Sequence, residues 1–213
     1  MINELLKRFI SSIVLIPVLV LLILEGKILF NLFILILFSI SVYEWHNLSK
    51  NKIYNIYGYL LIFFSFYSFY YLRNESELSF LFLILLICIF TDIGGYIFGK
   101  ILKGPKLIKI SPKKTYSGMI GSFVTPIILA PVYLNNLPTL NLPEYSAMKL
   151  NLVTLILLVS LVSQVGDLII SLFKRKSNVK HTGKIIPGHG GLLDRIDGML
   201  FVFPFVFIFL KIL

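Results

Sequence analysis

The stretch LSFLFLILLICIFTDIGGYIFG, residues 78–99, decides the fold class. It is apolar over the roughly 20 residues that an α-helix needs to cross a bilayer, and Asp92 is its one charged residue. Comparable runs recur along a chain that is 57% hydrophobic and 14% charged, whereas soluble domains carry about 25% charged residues. The runs do not alternate polar and apolar residues as the strands of a membrane barrel do. We therefore predict an all-α polytopic membrane protein.

Seven membrane spans are predicted from the apolar runs. The run after MINELLKRF is long and lacks a small-residue cleavage site, so it is typical of a first span and not of a signal peptide. Pro204 in the last span is tolerated in a membrane helix as a kink. The predicted spans are residues 10–24, 28–45, 54–72, 78–99, 117–134, 151–173 and 196–213.

The distribution of lysine and arginine predicts the orientation. With the N-terminus in the cytoplasm, the inner segments hold 16 of these cations and the outer segments hold 4, which satisfies the positive-inside rule. The net charge of +10 is then explained by topology, and no nucleic-acid partner is predicted. We expect an N-terminal region of three spans, residues 1–75, and a catalytic region, residues 76–213, whose basic loops at 100–116 and 174–195 face the cytoplasm.

The chain's four aspartates all fall at the cytoplasmic ends of predicted spans. A carboxylate costs free energy within a membrane, and an ionisable residue inside a span is a candidate functional residue by default. Four such residues on one side of the membrane predict a shared cationic partner. They are Asp92, Asp167, Asp194 and Asp197.

The last cytoplasmic loop ends in GHGGLLDRIDG, residues 188–198, and carries the strongest chemical signal. Asp194 and Asp197 are three residues apart, so on a helix they share a face. Glycines before a helix start expose backbone donors that suit phosphate oxygens, and carboxylates are the ligands of hard cations such as Mg²⁺. The loop predicts a metal–polyphosphate site. The alternative is a basic segment that binds anionic lipid and pairs its aspartates locally.

Polar residues in the other basic loop leave two interpretations open. In SPKKT, residues 111–115, the hydroxyls could cap the helix that follows or, with the lysines, hold phosphate. Gly95 and Gly99 are four residues apart, which favours close helix packing. Trp45 is interpreted as an aromatic-belt anchor at the membrane surface. His189 could be a base, a phosphate donor or a packing residue.

These motifs resemble the phosphatidate cytidylyltransferase family, the CDP-diacylglycerol synthases, over about residues 90–200. SQVGD, DIGGYIFGK and SPKKT are similar to family motifs. The family's C-terminal signature matches in spacing throughout. Its matched residues are Ser171, Lys174, Arg175, Lys180, Gly183, Ile186, Pro187, His189, Gly190, Gly191, Asp194, Arg195 and Asp197.

The resemblance implies transfer of a cytidylyl group from CTP to phosphatidate, with Mg²⁺ as cofactor, at the cytoplasmic side of a bacterial inner membrane. Membrane lipids are expected partners, and a homodimer is one candidate assembly. The resemblance assigns the cation to Asp167, Asp194 and Asp197, which with Lys180 and His189 form the predicted catalytic set. The predicted substrate- and phosphate-binding residues are Asp92, Ser111, Lys113, Lys114, Thr115, Lys174, Arg175, Gly190, Gly191 and Arg195.

Two positions depart from the family pattern. His181 stands where the family has Asp, and Ser117 stands where it has Glu, so each change removes a carboxylate. The alternatives kept open are a CTP-dependent polyprenol or phytol kinase, an ion transporter and an inactive homologue. The CDP-alcohol phosphotransferase pattern, with its aspartates four residues apart, is absent from the sequence.

Overall fold

A computed structural model describes residues 17–50, 54–108, 111–135, 151–185 and 190–212. Most of these residues are helical, as predicted. The helices are α1 (residues 17–25), α2 (Lys27–Ser49), α3 (Asn55–Glu75), α4 (Leu78–Ile101), α5 (Tyr116–Asn135), α6 (Leu152–Lys176), α7 (Leu193–Ile196) and α8 (Met199–Ile212).

Four of the helices, α2, α4, α5 and α6, are long and apolar enough to cross a membrane by length and composition. The chain is therefore a membrane protein. Helices also occupy the described parts of the other three predicted spans. Of these, α8 has 14 residues, which is short of the length a span needs. The full count of seven spans and the cytoplasmic N-terminus stay predictions.

One element departs from the all-α prediction. Strands β1 (Lys106–Ile108) and β2 (Ser111–Thr115) form an antiparallel ribbon in which Lys106 pairs with Thr115. The SPKKT motif is therefore a strand that leads directly into α5. Strands this short have no polar–apolar alternation to show in the sequence, which is why the pattern gave no sign of them.

The chain divides into two compact units. The first unit comprises residues 1–70 and 173–196, and the second comprises residues 71–172 and 197–213. The predicted boundary between residues 75 and 76 stays a prediction.

In the first unit, Trp45 belongs to a buried aromatic core. Its side chain is 1% exposed, its ring packs edge-to-face on Phe173 and on Tyr54, and its indole N–H donates to the carbonyl of Asn55 at 3.0 Å. The interpretation of Trp45 as an aromatic-belt anchor was wrong. A tryptophan near a helix end has the same signature in either role, and only packing distinguishes the two.

In the second unit, α4 and α5 pack through small residues, as the glycine spacing predicted. A Cβ atom at Gly95 would lie 2.6 Å from the Ser122 hydroxyl, and one at Gly121 would lie 2.8 Å from the Gly94 carbonyl. Backbones that approach this closely leave no room for larger side chains. The seam holds the end of α4 against the start of α5 and so positions the β2 motif that precedes α5.

Candidate active site

In the first unit, the loop before α7 folds around the carboxylate of Asp194. Lys174, in the last turn of α6, donates to Asp194 Oδ1 at 2.8 Å. The backbone amides of Thr182 and Gly191 donate to Oδ2 at 3.0 and 3.2 Å. His181 Nδ1 lies 3.4 Å from the same oxygen. The side chains of Lys174 and Asp194 are 11% and 6% exposed, so the pair is largely withdrawn from water.

The protonation of Asp194 is set by two opposing effects. Burial would by itself raise the pKa of the Asp194 carboxyl. The charged hydrogen bond from Lys174 and the amides of Thr182 and Gly191 outweigh the burial and hold this pKa below its ordinary value. Asp194 is therefore a carboxylate at neutral pH, as either cation binding or pairing with Lys174 requires.

The two glycines of this loop are required for different reasons. Gly190 has a φ of 93°, which an L side chain rarely adopts. Gly191 has no room for a side chain, because a Cβ there would lie 2.5 Å from Glu44 Oε2 and 2.6 Å from the Gly183 amide nitrogen. The sequence predicted a loop that offers its donors to phosphate. In the structure, the Gly191 amide is used by Asp194.

Glu44, near the end of α2, is the residue that sequence reasoning missed. It is 1% exposed, and it accepts hydrogen bonds from the Thr182 hydroxyl and from the amides of Leu192 and Leu193, each at 2.9 Å. A signal was present, because Glu44 is an ionisable residue within a predicted span. An ionisable residue inside a span is a candidate functional residue, and this criterion, which identified Asp92, applies equally to Glu44.

In the second unit, the SPKKT motif meets SQVGD. Lys114 Nζ lies 2.5 Å from Asp167 Oδ2, and the Ser171 hydroxyl donates to Asp167 Oδ1 at 3.2 Å. Both members of the ion pair are about a quarter exposed, at 27% and 28%. Two motifs that are more than 50 residues apart therefore meet through opposite charges.

The start of α8 packs closely on α6 in the second unit. A Cβ atom at Gly166 would lie 3.1 Å from the carbonyl oxygen of Asp197, and one at Gly198 would lie 3.0 Å from the Ser163 carbonyl oxygen. The residue before Asp167 is thus in contact with Asp197. The predicted grouping of the two carboxylates stays a prediction.

Thr115 caps α5. Its hydroxyl accepts from the Gly118 amide at 3.1 Å, which is the capping interpretation of this motif. Ser117, at the position of the family's Glu, exchanges a hydrogen bond with Thr115 at 2.9 Å and donates to the carbonyl of Lys103. Ser117 therefore ties the turn after α4 to the start of α5.

The remaining predicted residues fall into two groups. The side chains of Asp92, Arg175, Lys180 and Arg195 are exposed, and that of Ser111 is half-buried. His189 and the side chain of Lys113 lie outside the described residues. In the described part of the chain, no three His, Cys, Asp or Glu side chains form a group that could hold a metal ion.

Residues 56–213 match the model of the cytidylyltransferase family. The chain belongs to this family. A relative from Rickettsia felis is 36% identical over 211 residues, which cover 97% of this chain and 92% of the relative. A relative from Rickettsia prowazekii is 36% identical over 205 residues, which cover 94% of this chain and 89% of the relative. A relative from Staphylococcus haemolyticus is 39% identical over 145 residues, which cover 68% of this chain and 54% of the relative. All three are named phosphatidate cytidylyltransferase.

The cytidylyltransferase match includes both ion pairs, Lys174–Asp194 and Lys114–Asp167, and both glycines of the loop before α7. Glu44 lies before residue 56 and is outside that match. The family membership confirms the resemblance drawn from the motifs.

Proposed function

We propose that this protein is a phosphatidate cytidylyltransferase that converts CTP and phosphatidate into CDP-diacylglycerol and pyrophosphate. The names of the relatives support this function over nearly the whole chain. The observation that carries it in the structure is the Lys174–Asp194 pair, embedded in a glycine loop at the end of an apolar helix. Such a site places charge where a nucleotide from water can meet the headgroup of a membrane lipid.

The reaction requires two anions to approach each other. A phosphate oxygen of phosphatidate attacks the α-phosphorus of CTP, and a new P–O bond forms. The bond from the α-phosphorus to the bridging oxygen breaks, and pyrophosphate leaves with the electron pair. A phosphomonoester has a second pKa of about 6, so the nucleophile is mostly a dianion at neutral pH. Catalysis therefore depends on charge neutralisation and alignment more than on a strong base.

The chain's own cations supply part of that neutralisation. In the first unit, Lys174 is held by Asp194 at the loop, and we assign it to a phosphate of the nucleotide. In the second unit, Lys114 is held by Asp167, and we assign it to the lipid phosphate or to CTP. The other proposed phosphate contacts are Ser111, Lys113, Thr115, Arg175, Lys180, His189, Gly190, Gly191 and Arg195, with Asp92 lining the polar pocket.

The donor chemistry fits a hard divalent cation such as Mg²⁺, which prefers carboxylate oxygens. We propose Asp167, Asp194 and Asp197 as its ligands. Two of these belong to segments in contact, since Gly166 packs on Asp197. Within the part of the chain that the structure describes, Asp194 Oδ1 accepts one hydrogen bond, from Lys174, and a carboxylate oxygen has a second lone pair that suits a ligand bond. When bound, the cation would neutralise phosphate oxygens that the lysines do not reach.

We place the site on the cytoplasmic side of a bacterial inner membrane. The proposal rests on the excess of lysine and arginine in the segments that carry the motifs. CTP reaches the site from the cytoplasm, and phosphatidate lies in the inner leaflet. This placement also explains why carboxylates stand next to hydrophobic helices in this chain.

The test is CTP turnover by the full-length protein, purified in detergent and supplied with phosphatidate, with and without Mg²⁺. We expect equal amounts of CDP-diacylglycerol and pyrophosphate, dependent on Mg²⁺. In a parallel assay supplied with polyprenol or phytol in place of phosphatidate, a lipid kinase would instead form CDP and the phosphorylated alcohol, without pyrophosphate. Folded protein that binds CTP and makes neither product would support the inactive-homologue alternative and contradict the proposal.

Replacing Lys114 by methionine tests the second-unit pair. Methionine keeps much of the side-chain volume but leaves Asp167 without its ion-pair partner. We expect kcat/KM to fall by about 100-fold, the lower end of the range for loss of one charged contact in a transition state, because this pair is partly exposed to water. Initial rates at several phosphatidate concentrations measure the effect.

The matched control for that variant is Lys106→Met. Lys106 lies on the same ribbon with an exposed side chain, so its loss changes the net charge equally without breaking the pair. Equal rates for the two variants would contradict the role given to Lys114.

A further inference from the structure

We propose that Glu44 is a positioning residue for cytidylyl transfer. It accepts hydrogen bonds from the backbone amides of Leu192 and Leu193 and from the Thr182 hydroxyl, and through these contacts it aligns Asp194 and Lys174. This inference rests on the proposed function. It concerns a residue outside the region that the family model matches.

The hydrogen bonds of Glu44 join two separate parts of the loop. Oε2 accepts from the Thr182 hydroxyl and from the Leu193 amide, and Oε1 accepts from the Leu192 amide, all at 2.9 Å. The carboxylate also fills the space where side chains at Gly183 and Gly191 would lie. This side chain of α2 therefore supports two separate parts of the loop.

The cost of burying Glu44 argues for a role beyond packing. At 1% exposure, a carboxylate loses most of its hydration, which is unfavourable unless hydrogen bonds replace it. Among the described residues, Glu44 forms no ion pair, and its three donors are one hydroxyl and two backbone amides. An apolar side chain of similar size would fill the space at lower cost but would leave these three donors without an acceptor.

Glu44 is coupled to Asp194 because the two carboxylates share their partners. Thr182 donates its hydroxyl to Glu44 and its amide to Asp194. Gly191 donates its amide to Asp194, and the next two amides donate to Glu44. Among the described residues, three groups donate to the Asp194 carboxylate. A shift of the loop at Glu44 therefore moves two of these donors, the Thr182 and Gly191 amides, while Lys174 remains on α6. The predicted consequence is misalignment of the ion pair with the reacting phosphates.

Glu44→Gln is the informative substitution because it preserves size. The amide oxygen can still accept from one backbone amide, and the Thr182 hydroxyl can rotate to accept from the new NH₂ group. The second backbone amide then faces a donor. We expect kcat to fall by about 10–100-fold, as for a displacement of about 1 Å in a catalytic group, with a smaller change in KM for CTP. Glu44→Ala should lower kcat by a larger factor than Glu44→Gln does.

The experiment combines turnover with hydrogen exchange in the same detergent-solubilised protein. Exchange of the peptide spanning residues 190–196 should be faster in Glu44→Gln than in wild type, and kcat per folded molecule should be lower. Glu75→Gln is the matched control, because that side chain is exposed at the end of α3. It should change neither quantity. If Glu44→Ala does not fold, Glu44→Gln carries the test.

The outcomes separate this inference from the proposed function. Wild-type protein that makes no CDP-diacylglycerol would overturn the proposed function. Active wild type with unchanged exchange in Glu44→Gln would show that the carboxylate does not hold the loop. Faster exchange with unchanged kcat per folded molecule would show a purely structural contact. Each of the last two results overturns the positioning role while leaving the activity in place.

Discussion

Asp194→Asn is expected to lower kcat/KM by about 10²–10³-fold, the range found when one electrostatic contact to a transition state is removed, while the protein stays folded. Asparagine has the same shape but no charge, so the ion pair between Lys174 and residue 194 is lost. The side-chain NH₂ group of asparagine must also face either the ammonium of Lys174 or the amides of Thr182 and Gly191, all of which are donors. Initial rates of pyrophosphate release measure the loss.

A double-mutant cycle tests whether Asp194 and Lys174 act together. Lys174→Met alone should also be strongly impaired. The double variant should lose much less than the two single losses combined, since residues in one ion pair are not additive. If the fold loss in kcat/KM of the double variant equals the product of the two single losses, the two residues act independently. Wild-type rates in Asp194→Asn would refute the assignment of this carboxylate.

The same substitution should change the response of stability to acid. The native pKa of Asp194 is lowered, chiefly by Lys174 acting against burial, so its charge stabilises the fold at any pH above the ordinary value of about 3.9. This contribution is lost as the pH falls through the lowered native pKa. The melting temperature of wild type should therefore exceed that of Asp194→Asn at pH 7, and the gap should narrow in acid. A difference in melting temperature that stays constant with pH would contradict the lowered pKa of Asp194.

Gly191→Ala is expected to have the second large effect, on both stability and turnover. The added methyl group would meet the Thr182 hydroxyl oxygen, Glu44 Oε2 at 2.5 Å and the Gly183 amide nitrogen at 2.6 Å. One of these is backbone, so rotation of a side chain cannot relieve the contact. Overpacking of this kind costs about 1–3 kcal/mol. It should also displace the Gly191 amide from Asp194, so turnover should fall with stability.

Thermal unfolding and initial rates measure both effects of Gly191→Ala. Gly99→Ala is a useful comparison, because the nearest atom to its new methyl group would be the Thr115 hydroxyl oxygen at 3.2 Å, and a side chain can shift by that amount. Gly99→Ala should therefore lose less stability than Gly191→Ala. If Gly191→Ala is as stable and active as wild type, the loop is not held as the structure describes.

Several features of the site were predictable because they depend on local sequence. The spacing of Gly95 and Gly99 predicted that another helix packs closely on α4, since residues four apart share a helix face, although not that this helix is α5. For the hydroxyls of SPKKT, capping of the helix that follows was one of two interpretations, and Thr115 does cap α5. The motif at residues 188–198 predicted a glycine loop before a helix with backbone donors for phosphate, although not that amides of this loop donate to the protein's own carboxylates.

The sequence by itself determined the class of this protein, its helices and its family. Those properties follow from composition, from the length of apolar runs and from motif spacing, which are all carried by neighbouring residues. Only the tertiary structure decided that Lys174 pairs with Asp194, that Lys114 pairs with Asp167, that Trp45 is a core residue, and that Glu44 supports the loop. Each of these depends on which distant side chains packing brings together, and a buried charge takes the partner that lies within hydrogen-bond distance.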